Sequence, residues 1–176
     1  MCKGYGTQND AGYRAWGALK CVQSSRGLGI KAKKCLYEGV IVPTALYGAE
    51  AWGMRSEERR RVNVLEAKYL RSLVGVSRNY RVRNEEVLER AGIEMELASR
   101  ADQRVLRWFG NVERMDEYRM ARRVWIAEVS GGRVRGGPRL GWMDGVTVAS
   151  GSRGMTVAAA HHCAEDRKEW RALVHM

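Results

Sequence analysis

Hydrophobic residues recur at intervals of three and four along the middle of the chain, which is the spacing of one face of an α-helix. The clearest segment begins at Ser56, a residue type that favours helix N-termini, and continues with the acidic pair Glu57 and Glu58. Its apolar positions are Val62, Leu65, Tyr69 and Leu73. Gly75 follows and is suited to ending a helix. The pattern predicts a helix over residues 56–75.

A second pattern predicts a helix from about Glu96 to Met115. We expect its apolar stripe to face a core; the stripe consists of Leu97, Ala101, Val105, Trp108 and Val112. About 100 degrees around the helix lies a polar stripe, made of Arg100, Arg104, Arg107, Asn111 and Arg114. Basic charge is therefore concentrated on one side of this helix.

Weaker patterns predict five more helices, from Asn9 or Asp10 to about Arg26, from Ile30 to Tyr47 with a kink at Pro43, from Asn84 to Gly92, from Asp116 to Glu128, and a last one capped by Thr156. The last helix would bury one face, formed by Ala160, Cys163, Ala164, Trp170 and Val174. The fold class predicted is all-α. Its parts are a flexible N-terminus (1–9), a helical region (10–129), a Gly/Arg-rich linker (130–141) and a helical tail (142–176).

The charge of the chain points to an anionic partner. The 176 residues carry a formal net charge of +11, and most of the basic residues are arginines, whose planar fork suits phosphate. Codon bias in a GC-rich gene would also enrich arginine, so this signal has two explanations. No long apolar run or cleavable leader is evident, and the four cysteines are scattered. We expect a soluble intracellular protein, nuclear or cytoplasmic, with free thiols and no membrane partner.

No constellation of catalytic residues is found. The adjacent acidic pairs mostly begin predicted helices, and no phosphate-binding loop, nucleophile elbow or zinc helix motif occurs. His161, His162 and Cys163 are neighbours, but their directions diverge around a helix, which favours a structural role over zinc binding. Most of the six tryptophans are expected in the core rather than as stacking platforms for bases. We therefore expect no catalytic residue, metal or cofactor.

The candidate nucleic-acid-binding residues are arginines in three groups. The first is the polar stripe, with Arg100, Arg104, Arg107 and Arg114. The second surrounds Trp125 and consists of Arg119, Arg122 and Arg123. The third lies in the linker and consists of Arg133, Arg135 and Arg139. The linker resembles a minor-groove hook in part, but Gly137 stands where such a hook has its central arginine, which favours a connector with incidental phosphate affinity.

Six strings of residues, taken in order, resemble one protein family. They are VPTALYGAEAW (42–52), LRSLVG (70–75), NEEVL (84–88), RWFGNVERM (107–115), GGPRLGW (136–142) and DRKEWRALV (166–174). Together they are similar to the region that follows the catalytic palm in reverse transcriptases of non-LTR, LINE-type retrotransposons. The resemblance covers nearly the whole chain from about residue 10.

This resemblance implies a thumb and C-terminal connector that helps to grip RNA and the primer–template duplex while a separate palm polymerises DNA. The aspartates of that palm have no counterpart in this chain, nor does the endonuclease that usually precedes it. Two positions depart from the family: Asn111 stands where histidine is usual, and Gly137 where arginine is usual. Both departures fall on the proposed basic surface.

The function predicted is that of a retrotransposon RNA-directed DNA polymerase fragment without its palm. It would bind RNA or DNA weakly through arginines, without regard to sequence and without catalysis. One alternative is a structural or protein-interaction module that docks to a palm-containing polymerase chain or to itself. The other is a decayed reading frame with no function.

Overall fold

A computed structural model describes residues 14–23, 25, 27–54, 56–127 and 141–175. The predicted flexible segment 1–9 and the linker up to residue 140, with its three arginines, lie outside the described residues. In the ranges that are described every regular element is helical and no strand occurs, which confirms the all-α fold class.

Ten α-helices are described. They are α1 (residues 14–23), α2 (Ile30–Leu36), α3 (Val42–Ala45), α4 (Ser56–Val74), α5 (Asn84–Ala91), α6 (Leu97–Glu113), α7 (Met120–Ile126), α8 (Trp142–Gly151), α9 (Val157–Glu165) and α10 (Arg167–His175). A π-helical turn, Tyr37–Ile41, joins α2 to α3. Short 3-10 turns occupy Ala49–Ala51 and Arg78–Tyr80.

The chain divides into two compact units, and the boundary falls inside α6. The first unit contains the described residues up to Gly48 together with Ser56–Ala101. The second contains the described residues 49–54 together with the described residues from Asp102 onward. The sequence predicted a single helical region from residue 10 to 129, whereas the contacts assign most of α6 to the same unit as the tail.

Two helices of the first unit begin and end close to the predicted residues. The helix α4 ends before Gly75 and α5 ends before Gly92, and both glycines have positive φ angles, 72° and 66°. Glycine is the residue that adopts this left-handed conformation without strain. The helices predicted over 56–75 and 84–92 are thus confirmed within a residue or two.

The predicted kink at Pro43 takes the form of a π-helical turn immediately before it. Proline has no backbone N–H, and its ring would clash with the carbonyl four residues earlier in a regular helix. The backbone adopts a π-helical hydrogen-bond pattern here, in which the N–H of Val42 donates to the carbonyl of Tyr37, five residues earlier. The proline itself then occupies the first turn of α3, where its missing N–H has no cost.

A buried carboxylate lies at the centre of the first unit. Glu66 of α4 is 3% exposed; it accepts hydrogen bonds from the hydroxyl of Tyr37 and, at 2.8 Å, from the backbone N–H of Leu97. Burial raises the pKa of Glu66, although the two hydrogen bonds oppose the shift. Glu66 thereby connects α4 both to the π-helical turn and to the first turn of α6.

The raised pKa of Glu66 predicts a pH dependence of stability. A carboxyl group whose pKa is higher in the folded state stabilises that state below its unfolded pKa, and this stabilisation is lost as the pH rises through the folded pKa. Wild type should therefore lose free energy of unfolding between about pH 4 and pH 7 relative to Glu66→Gln. Urea unfolding at both pH values measures the difference, and equal pH profiles for the two proteins would contradict it.

The core of the second unit surrounds Phe109, the single phenylalanine of the sequence, which is fully buried. Its ring lies 5.0–6.3 Å, centroid to centroid, from four aromatic rings contributed by α7, α8, α9 and α10, namely Trp125, Trp142, His161 and Trp170. Aromatic pairs at such distances add to the stabilisation from burial. One residue of α6 thus organises the packing of the tail helices.

Three predictions for this part of the chain were wrong in detail. Trp108, expected in the core, is 37% exposed, because the buried face of α6 follows Val105, Leu106 and Phe109 instead. The predicted last helix is two helices, α9 and α10, because the side chain of Asp166 accepts hydrogen bonds from the N–H groups of Lys168 and Glu169 and begins a new helix. The helix α7 is also shorter than the predicted span 116–128.

Candidate nucleic-acid interface

Trp170 of α10 packs against α6. Its indole N–H donates to the carbonyl of Leu106 at 3.0 Å, and further along α6 the guanidinium of Arg114 donates to the carbonyl of Ala164, near the end of α9. Close approach is possible because Gly110 faces the ring of Trp170: a Cβ atom there would lie 2.1 Å from the indole nitrogen. The absence of a side chain at residue 110 therefore allows the two helices to pack.

A groove of about 390 Å³ runs along this pair of helices. Arginines from both helices line it, and between them lie an amide and the edge of a buried indole; these residues are Arg107, Arg114, Arg167, Arg171, Asn111 and Trp170. Val174 and His175 complete the lining, so none of its described residues is acidic. We call this feature the arginine groove.

The charges in the arginine groove are only partly compensated. Burial, followed by the positive charge of Arg167, lowers the pKa of Arg114, while Asp166 acts in the opposite direction. Asp166 is itself engaged by two backbone N–H groups at the start of α10. Like charges placed together destabilise the folded state, and a bound anion would relieve that repulsion. The groove is thus electrostatically suited to phosphate.

The stripe predicted on α6 is split by the structure. Arg107 and Arg114 lie together in the arginine groove. Arg100 belongs to the first unit, where its guanidinium forms two hydrogen bonds with Glu38, at 2.5 and 2.9 Å. These bonds raise the pKa of Arg100 and hold its charge against a carboxylate. Arg104 is half-buried on α6.

The arginines predicted around Trp125 have different surroundings. Arg122 donates to the carboxylate of Glu113 at 3.0 Å. The same carboxylate accepts a hydrogen bond from the indole of Trp125 at 2.8 Å. Arg119 and Arg123 are exposed, the first of them as the N-cap residue of α7. The charge of Arg122 is thus compensated within the fold.

Sequence reasoning missed half of the groove's arginines. Arg167 and Arg171 lie within the string DRKEWRALV, in which the apolar pattern singles out Trp170 and Val174 as buried positions. Their spacing of four residues places both on one side of α10, next to the buried face. The four-residue spacing of Arg167 and Arg171 is the sequence signal that could have identified them as a basic surface. The partner helix, however, lies some 60 residues earlier in the sequence, so only the fold reveals the groove.

The adjacent histidines and Cys163 do not converge on one point. The ring of His161 packs at 5.0 Å from Phe109, with Nδ1 3.4 Å from the carboxylate of Glu113. His162 is largely exposed beside Glu165, and the sulfur of Cys163 lies 4.0 Å from Glu169. Each of the three side chains therefore has separate surroundings.

Across the described ranges, none of the helices combines the length and the apolar character needed to span a bilayer. No protein-family model, curated protein or solved structure matches this chain.

Proposed function

We propose that this chain binds the sugar–phosphate backbone of RNA or DNA in the arginine groove, without regard to base sequence. The observation that carries the proposal is the convergence of four arginines from two helices on one groove with no acidic residue in its described lining. Arginine forms paired, charge-assisted hydrogen bonds with phosphate, and such contacts carry no base specificity. The proposed role is binding alone, without catalysis.

The proposed origin of the chain is the post-palm region of a LINE-type reverse transcriptase. The support is the ordered set of strings from residue 42 to 174, two of which contain the arginines of the groove. A region that grips nucleic acid for a separate palm needs phosphate contacts and no active site of its own. The partner would then be RNA, DNA or a primer–template duplex, in the nucleus or the cytoplasm.

The test compares two double variants of equal net charge. Arg107 and Arg171 are exposed groove residues, so Arg107→Gln/Arg171→Gln should remove phosphate contacts without disturbing the fold. The matched control is Arg61→Gln/Arg90→Gln, because these exposed arginines pair only with glutamates on their own helices in the described structure. Fluorescence anisotropy with labelled single-stranded oligonucleotides at low salt measures the affinity of each variant. The groove variant should bind about tenfold more weakly than wild type, a difference of about 1.4 kcal/mol in binding free energy, and the control should bind almost as well as wild type.

Salt dependence provides the second readout. The affinity of wild type should fall linearly with salt on logarithmic axes, since counterions are released from each neutralised phosphate. Absence of binding at low salt would reject the proposed function. Equal losses in the two double variants would assign the binding to overall charge rather than to the groove.

A second candidate function, association with another protein chain, is favoured by the surface of α7. Four large hydrophobic residues in α7 and the turn before it are more than half exposed: Tyr118, Met120, Val124 and Ile126. Exposed apolar clusters of this kind mark interaction surfaces. If α7 mediates self-association, light scattering should show an oligomer that persists at high salt and is lost in Val124→Asp. A monomer under both conditions would contradict this candidate.

A further inference from the structure

A second basic cavity lies in the first unit, and both α1 and α4 contribute to its lining. Its volume of about 580 Å³ is within the range of pockets that hold small ligands. Five lining residues share one side of α4, because they recur at intervals of three and four: Val64, Ala67, Lys68, Arg71 and Ser72. Trp16 of α1 also lines the cavity, which we call the tryptophan pocket.

The indole of Trp16 is held by its own helix. Its N–H donates to the side-chain oxygen of Gln23 at 3.0 Å, and Gln23 is fully buried. This bond satisfies the one polar group of the indole, whereas stacking uses only the face of the ring. Val64, Ala67 and Val76 extend the apolar part of the lining, and Val64 is 43% exposed. A flat hydrophobic ring would therefore remove apolar surface from water here.

The polar part of the tryptophan pocket is basic. Lys68 and Arg71 are three residues apart on α4, and the described lining contains no acidic residue. The guanidinium of Arg71 donates to the carbonyl of Val82 at 2.8 Å, which fixes its position but leaves its charge and its other N–H groups for an anion. Ser72 and Asn84 add a hydroxyl and an amide to the lining. The pocket thus combines an aromatic surface with two cations.

This combination matches a ligand that has a flat ring and an anionic group. We propose that the tryptophan pocket binds one nucleotide, with its base stacked on Trp16 and its phosphate held by Lys68 and Arg71. The nucleotide is either free or an unstacked member of a single strand. The inference goes beyond the proposed function, because the tryptophan pocket belongs to the first unit and shares no lining residue with the arginine groove.

Ligand-observed NMR with adenosine 5′-monophosphate tests the pocket in the full chain. The variant Arg107→Gln/Arg171→Gln serves as the background, so that the arginine groove contributes little to the signal. Stacking on an indole should shift the resonances of the adenine protons upfield. Adenosine, which lacks the phosphate, and ribose 5-phosphate, which lacks the base, should each bind about tenfold more weakly. If ribose 5-phosphate bound as tightly as the nucleotide, the pocket would be an anion site only and the inference would be wrong.

Substitution of the indole tests the stacking contact. Trp16→Leu keeps a large apolar side chain but removes the aromatic face, so it should abolish the upfield shift and weaken nucleotide binding about tenfold. The control is Trp108→Leu, because Trp108 is 37% exposed and lies outside the lining of the pocket. This control should leave both the shift and the affinity unchanged.

Substitution of the exposed lysine tests the phosphate contact without touching the apolar lining. Lys68→Gln should weaken binding of the nucleotide about tenfold and leave binding of adenosine unchanged, because adenosine has no phosphate. Arg90→Gln removes the same charge from an exposed position in the same unit and should change neither. Wild-type affinity for the nucleotide in Lys68→Gln and in Trp16→Leu would contradict the inference.

A single strand that contains one 2-aminopurine distinguishes the two sources of the nucleotide. The fluorescence of this base falls when it stacks on an indole. Quenching that is lost in Trp16→Leu would assign the pocket to a nucleotide within a strand. Binding of adenosine 5′-monophosphate without such quenching would assign it to a free nucleotide. If neither probe bound, the inference would fail, while the proposed function would stand or fall separately on the groove variant.

Discussion

Replacement of Gly110 by alanine is expected to destabilise the second unit by about 2–3 kcal/mol. A Cβ atom at residue 110 would lie 2.1 Å from Nε1 and 2.4 Å from Cδ1 of Trp170, far inside contact distance. The indole must then move, although it is 3% exposed and its N–H is bonded to Leu106. The gain in helix propensity, about 1 kcal/mol, offsets only part of this cost.

The measurement is chemical unfolding followed by tryptophan fluorescence, with Gly151→Ala as the control. Gly151 ends α8 in the same unit, and no atom lies within 4 Å of a Cβ atom built there. Its replacement should be neutral or slightly stabilising. Because Trp170 also lines the arginine groove, Gly110→Ala should weaken oligonucleotide binding even where the protein remains folded. Wild-type stability for Gly110→Ala would show that Trp170 is not held against α6 in this way.

The helices of the first unit could be predicted because their sequence signals are local. Acidic residues at the start, apolar positions three and four apart, and a glycine after the last turn together define α4 and α5. The kink at Pro43 was likewise predictable from proline's covalent structure, although the π-helical form of the preceding turn was not. The conformation of such elements is determined by residues that are close to one another in the sequence.

The tail was harder to predict because its helices depend on contacts distant in sequence. The segment 142–151 contains Gly145, which weakens any local helix signal. In the structure this glycine has a packing role, because a Cβ atom there would lie 2.7 Å from the carbonyl oxygen of Trp52. Helix α8 thus packs directly against backbone that precedes it by some 90 residues.

The candidate site could likewise be predicted only in part, because it depends on contacts between residues distant in sequence. The periodicity of α6 placed Arg107 and Arg114 on one side, and the fold puts both in one groove. The same periodicity gave Arg100 an equal role, since a helical stripe does not show which arginine has an acidic neighbour from another element, as Arg100 has in Glu38. The contribution of α10 requires the packing of Trp170 against α6, which no local pattern encodes.

Removal of the Glu113 carboxylate is expected to destabilise the second unit by about 3 kcal/mol. This side chain is 11% exposed; it accepts a hydrogen bond from Trp125 at 2.8 Å and one from Arg122 at 3.0 Å. In Glu113→Ala the indole N–H loses its acceptor. The guanidinium of Arg122, whose Nε is buried without a hydrogen-bond partner in the described structure, loses its counter-charge. An uncompensated charge that is largely removed from water accounts for most of the expected loss.

Glu113→Gln separates the two contributions, because the amide oxygen can still accept from Trp125 while the negative charge is gone. We expect an intermediate loss of about 1–2 kcal/mol in urea unfolding. The control is Glu165→Ala, since that carboxylate is largely exposed and lies 3.9 Å from an equally exposed histidine. Its replacement should change stability by less than about 0.5 kcal/mol. If Glu113→Ala were as mild as this control, the carboxylate would not connect α7 to α6, and Arg122 would be available to phosphate after all.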